Sequence, residues 1–151
     1  MDFFSPEQAA QVEAIAAQII PTDSTPGARE ARVIYFIDRA LASFAADERP
    51  VFLRGLKELQ SKVRKRFKND GRFSTLSSEQ QIEVLKSIEK EKFFESVRTM
   101  TIYGMFANPS YGGNYDEIGW KLLGFQSEFY FEPPFGVYDR DYQASQSNGG
   151  S

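Results

Sequence analysis

The sequence predicts an all-α fold, and three observations carry that prediction. Helix start signals recur along the chain, apolar residues follow each signal at three- and four-residue spacing, and no alternating strand pattern stands between the turns. With 151 residues, the chain is long enough for one domain with a real core. The expected architecture is about five helices in a compact orthogonal bundle, followed by a glycine- and aromatic-rich loop and an extended tail. The helical domain is expected over residues 3–126 and the tail over residues 127–151.

Ser5-Pro6-Glu7-Gln8 sets an N-cap serine, an N1 proline and an N3 glutamine in capping-box order. Val12, Ile15, Ala16 and Ile19 follow at helical spacing, and Pro21 ends the run. Asp23 reads as a turn stabiliser through an Asx-type hydrogen bond. Thr25 and Pro26 read as N-cap and N1 of a second helix, whose stripe is Val33, Ile37, Ala40, Leu41 and Phe44. A third helix starts near Asp47 to Pro50, buries Phe52, Leu56, Leu59, Val63 and Phe67, and is closed by Asn69-Asp70-Gly71. Leu76-Ser77-Ser78-Glu79-Gln80 holds a second capping box, leading to Ile82, Leu85 and Ile88. The fifth helix, from about Glu91 to Phe106, carries Phe93, Phe94, Val97, Met100 and Met105.

Two absences restrict the chemistry. The chain has no Cys, which excludes disulfides, thiolate catalysis and thiolate metal sites. It also has no His, so the usual neutral-pH base and the commonest metal ligand are missing. A net charge of -3 gives no overall bias toward nucleic acid. No apolar run reaches the roughly 18 residues that span a bilayer. Aromatics make up 15% of the chain, led by 14 Phe, an excess that points to a well-filled core, a sticky surface or both.

Several constellations have a plain reading beside the functional one. Residues 62–68 hold five cations in seven positions, and a solvated helix face at a C-terminal dipole outweighs docking on an acidic partner or anionic headgroups. The carboxylate pairs Asp47/Glu48, Glu89/Glu91 and Asp139/Asp141 fall in helix ends or the tail and carry no catalytic assignment. Gly112-Gly113 does not sit between a strand and a helix, so no phosphate cradle is expected. The most informative stretch is residues 108–125. Gly112, Gly113, Gly119 and Gly124 allow close approach or unusual backbone, and Tyr111, Tyr115, Trp120 and Phe125 supply large apolar surface. Such a segment is built to pack, either on its own chain or on another protein.

Beyond it, Phe129, Tyr130, Phe131, Phe135, Tyr138 and Tyr142 surround Pro133-Pro134. The prolines oppose regular structure and the aromatics oppose full disorder, so this tail is expected to lie extended across a surface. Its Gly/Ser-rich end reads as mobile.

Four stretches carry a family resemblance. They are Phe3-Phe4-Ser5-Pro6-Glu7; Ile19-Ile20-Pro21-Thr22-Asp23-Ser24-Thr25-Pro26-Gly27-Ala28-Arg29-Glu30-Ala31 leading into Val33-Ile34-Tyr35-Phe36-Ile37-Asp38; Phe93-Phe94-Glu95-Ser96-Val97-Arg98-Thr99; and Tyr111-Gly112-Gly113-Asn114 with Gly119-Trp120-Lys121-Leu122-Leu123-Gly124-Phe125. In this order they resemble the gluconate 2-dehydrogenase subunit 3 family, the small gamma subunits of flavin-dependent sugar and polyol dehydrogenases.

The resemblance implies a non-catalytic subunit with no cofactor, metal or catalytic residue of its own. Its implied partner is a larger flavoprotein of the glucose-methanol-choline type, which holds FAD, and whose maturation the small subunit supports. A cytochrome c subunit commonly takes the electrons onward. The family often carries a twin-arginine export signal, and none precedes Phe3. The resemblance therefore implies a periplasmic complex where a signal has been removed and a cytoplasmic one otherwise.

The expected partner contacts are Tyr111, Gly113, Asn114 and Trp120, with Phe131, Phe135 and Tyr138 of the tail wrapping the partner. Losing the Trp120 ring as an interface hot spot would cost about 2 kcal/mol or more of association. The competing reading is a stand-alone small-molecule binder, or a carboxylate- and tyrosine-based enzyme with a helical pocket.

Overall fold

The computed structural model describes residues 1–107 and 109–123, with the backbone alone at 111, 120, 122 and 123. Six α-helices occur among them: α1 (Pro6–Ile19), α2 (Val33–Ala42), α3 (Arg49–Phe67), α4 (Ser78–Ile88), α5 (Lys92–Phe106) and the short α6 (Ile118–Leu123). Among the described residues there is no strand, so the all-α expectation holds. The tail expected over residues 127–151 lies outside the described residues.

Both capping boxes form. The Gln8 N–H donates to the Ser5 hydroxyl at 3.1 Å, and the Ser5 N–H donates to the Gln8 side-chain oxygen at 3.0 Å. Ser77 and Gln80 repeat the exchange at 3.2 and 3.0 Å, so each helix start has its outermost orphan N–H groups satisfied.

The second helix begins later than its sequence signals suggest. Asp23 accepts the Thr25 N–H at 3.0 Å and its hydroxyl at 3.2 Å, which holds Thr25 inside an Asx turn instead of at an N-cap. Those two bonds, the backbone one first, hold the Asp23 carboxyl below its ordinary pKa. Glu30 accepts the Thr22 hydroxyl at 2.5 Å and the Gly27 N–H at 2.7 Å, tying the turn across its mouth. The Thr22 bond and then the Gly27 bond lower the Glu30 pKa in the same way. Arg32 then adopts a left-handed conformation, φ 54°, and only at Val33 does a continuous helix start. Pro26 lies outside it.

The core surrounds α2, which buries Val33, Ile34, Phe36, Ile37, Asp38, Ala40 and Leu41 and packs most extensively on α5, then on α1. Much of the phenylalanine excess is interior. Phe3, Phe4, Phe52 and Phe93 form a ladder of ring contacts with centroids 5.1, 6.1 and 5.7 Å apart, in the range favoured by aromatic pairs. Phe44 lies just past the end of α2 and packs on Phe36 at 6.2 Å. One stripe position departs from expectation: Ile82 is 43% exposed, and Gln81 takes the inward place on α4 by donating to the Phe73 carbonyl at 3.0 Å. A side-chain amide with a fixed backbone acceptor can occupy a buried position that apolar spacing alone gives to a hydrocarbon.

Candidate functional site

The glycine-rich segment packs against its own chain first. Gly112 has φ +104°, a backbone conformation natural to glycine. Gly113 is buried, and a Cβ there would collide with the Gly104 carbonyl of α5. Gly119 is set in the same way against the Met105 carbonyl. These contacts press the segment onto the C-terminal turns of α5.

Asn114 then clasps it. The buried Asn114 amide donates to the Ala107 carbonyl at 2.8 Å, and its side-chain oxygen accepts the Gly119 N–H at 2.6 Å. Ala107 caps the end of α5, and Gly119 lies in the first turn of α6. Asn114 thus serves orphan groups of two helix termini at once. Gly113 and Asn114, expected as contact residues, therefore shape the site from within and present little of themselves to a partner.

The same segment runs along the exposed stripe of α2. Arg39 donates to the Ser110 carbonyl at 3.1 Å, and Gly112 lies over the backbone of Tyr35 and Phe36. The Tyr115 N–H donates to the Ala31 carbonyl at 2.9 Å. The Arg32 guanidinium stacks on the Tyr115 ring, 3.6 Å from its centroid. Segment and helix are thus antiparallel, and together they display Arg32, Tyr35, Arg39 and Tyr115. Tyr35 is 50% and Tyr115 46% exposed. Asp116 and Glu117 lie at one end of this face, with Asp116 paired to Lys121 at 3.4 Å.

Arg32, Tyr35 and Arg39 were not singled out from the sequence as contacts. Tyr35 and Arg39, four apart on α2, share its exposed stripe, and Arg32 stands at the left-handed cap just before it, a grouping legible only once both sides of α2 are known to be covered. Of the other expected contacts, Tyr111 falls in a short 3-10 turn and Trp120 in α6. Phe131, Phe135 and Tyr138 lie outside the described residues.

Several of the remaining sequence candidates make structural contacts. Glu48 accepts the Ser96 hydroxyl at 2.6 Å, and Glu91 pairs with Lys62 at 3.8 Å. Arg66 pairs with Glu83, so the basic run of α3 is partly neutralised by neighbouring helices. Asp139 and Asp141 lie outside the described residues. An open groove of about 710 Å³ runs between α1 and α3, and its carboxylate, Glu7, is paired with Arg72 at 3.0 Å. No second carboxylate converges on it among the described residues. Among the described residues there is also no group of three potential metal ligands, and no helix long and apolar enough to cross a membrane.

A helical domain whose glycine-rich segment is clamped to its own central helix, leaving tyrosines and arginines on the surface, has the character of an interaction subunit. The chain belongs to the gluconate 2-dehydrogenase subunit 3 family, whose sequence profile matches residues 6–126. That match makes it a subunit of a dehydrogenase. Neither the curated proteins nor the solved structures gave a significant match.

Proposed function

We propose that this chain is the non-catalytic small subunit that binds a larger FAD-dependent dehydrogenase and supports its maturation. The larger subunit would oxidise a CH–OH group of a sugar, sugar acid or polyol and hold the flavin. A cytochrome c subunit would take the electrons onward, and the complex would work in the periplasm if an export signal has been removed and in the cytoplasm otherwise. The observation that carries this reading is the family match over residues 6–126. The composition fits it: a chain with no His and no Cys lacks the residues that most often move protons and electrons at neutral pH.

The test is affinity purification of the tagged chain from its native host, recording the visible spectrum and the masses of what co-elutes. A yellow eluate with one larger flavoprotein is expected. Deleting the chain should leave that flavoprotein poorly loaded with FAD, and re-expression should restore dye-linked sugar oxidation. A colourless eluate with no partner overturns the proposal.

A further inference from the structure

We propose that the face formed by Arg32, Tyr35, Arg39 and Tyr115 is where the larger dehydrogenase subunit docks, through a patch of that subunit bearing carboxylates and room for two phenol rings. The inference rests on the family reading above and deepens it.

Charge complementarity defines the partner chemistry. The chain as a whole is acidic, at net charge -3, yet this face sets two guanidinium groups either side of an exposed tyrosine, with carboxylates only at one end, where Asp116 is already paired with Lys121. Neither Arg32 nor Arg39 has a carboxylate partner among the described residues. Each is nevertheless held in place, Arg32 by its stack on Tyr115 and Arg39 by the Ser110 carbonyl. A guanidinium has five donors in a rigid fork, and the single bond from Arg39 to Ser110 leaves most of its own for a partner carboxylate.

Preorganisation supports the same surface. The Tyr115 backbone is anchored by its N–H bond to Ala31 and its ring by the Arg32 stack, so less side-chain freedom is lost when the ring is covered. Among the described residues, five non-glycine positions have positive φ, and four of them cluster here: Arg32 on the face, Asn114 buried beneath it, and Asp116 and Glu117 at its end. Strained backbone of this kind persists only where the surroundings over-determine it, and it concentrates at binding sites. Tyrosine and arginine are also the residue types enriched at the energetic centres of protein interfaces.

The experiment compares wild type with Tyr35→Ser, Arg39→Glu and Ile82→Ser, the last an exposed apolar residue on α4. Each tagged chain is titrated against the larger subunit that co-purifies with wild type, and each is melted alone to confirm folding. Tyr35→Ser and Arg39→Glu should each weaken binding about tenfold or more at unchanged melting temperature, with Ile82→Ser matching wild type. Should Arg39→Glu disturb the fold through Ser110, Tyr35→Ser still decides the matter. Wild-type affinity in a folded Tyr35→Ser chain overturns the docking face while leaving the subunit assignment intact. A wild-type chain that captures no larger subunit removes the assignment itself.

Discussion

At the scale of single residues, Asp38 is the most exacting position in the core. It sits 3% exposed on α2, where its carboxylate accepts the N–H groups of Asp2, Phe3 and Phe4 at 2.6, 3.0 and 2.8 Å. Three donors at one carboxylate hold the N-terminal segment against α2 and deliver Phe4 into the aromatic ladder. Arg49 assists from α3, its guanidinium 5.6 Å from the Phe3 ring. Asp38→Ala should cost about 2–4 kcal/mol of unfolding free energy, because charge-assisted bonds are lost and Phe4 is released together. Asp38→Asn keeps one acceptor oxygen for Phe3 and Phe4 and should fall between the two. Urea melts followed by circular dichroism check this, and an Asp38→Ala chain as stable as wild type would show that residues 2–4 are held by other means.

Among the elements, the critical joint is where the glycine-rich segment meets α5 and α6. Gly113→Ala would drive a methyl group into the Gly104 carbonyl, which belongs to helix backbone and cannot swing aside. Asn114→Ala would orphan the Ala107 carbonyl and the Gly119 N–H in a buried place. Each should destabilise by about 2 kcal/mol. Gly104→Ala should be milder, since its added Cβ meets the side chains of Val33 and Phe36 at 3.1 and 3.2 Å. Equal melting temperatures for Gly113→Ala and wild type would refute the close approach.

This joint also shows what the sequence could and could not reveal. Capping boxes announce α1 and α4 because they are written within four residues. The glycines announced close packing without naming the surface packed against, since Gly104 lies nine positions upstream on another element. The late start of α2 was hidden because Asp23 draws Thr25 into its own turn and Glu30 takes the Gly27 N–H that an N-cap Thr25 would have organised. The docking stripe was hidden for a related reason: Arg32, Tyr35 and Arg39 read as ordinary surface until α1 and α5 are known to enclose the rest of α2.

For the whole molecule, stability and association should respond differently to salt. The interior is built from apolar and aromatic packing around α2, with Phe36, Phe52 and Phe73 among its fully buried side chains. The ion pairs among the described residues lie at the surface, where every partner is at least 35% exposed. Pairs of that kind contribute little and are screened. Raising sodium chloride from about 0.05 to about 0.5 M should therefore shift the unfolding free energy of the isolated chain by less than about 1 kcal/mol. Docking through Arg32 and Arg39 onto carboxylates brings formal charges together across a partly solvated interface. Over the same salt range the affinity for the larger subunit should drop about tenfold, mainly through slower association. Arg39→Glu should flatten that dependence, because it replaces one of the two attractive charges with a repulsive one that offsets Arg32. Surface plasmon resonance on the complex and calorimetry on the isolated chain measure the two responses separately. A salt-insensitive affinity would show that the tyrosines bind without the arginines, and a salt-sensitive fold would mean that charge contributes to the interior in a way the surface pairs do not supply.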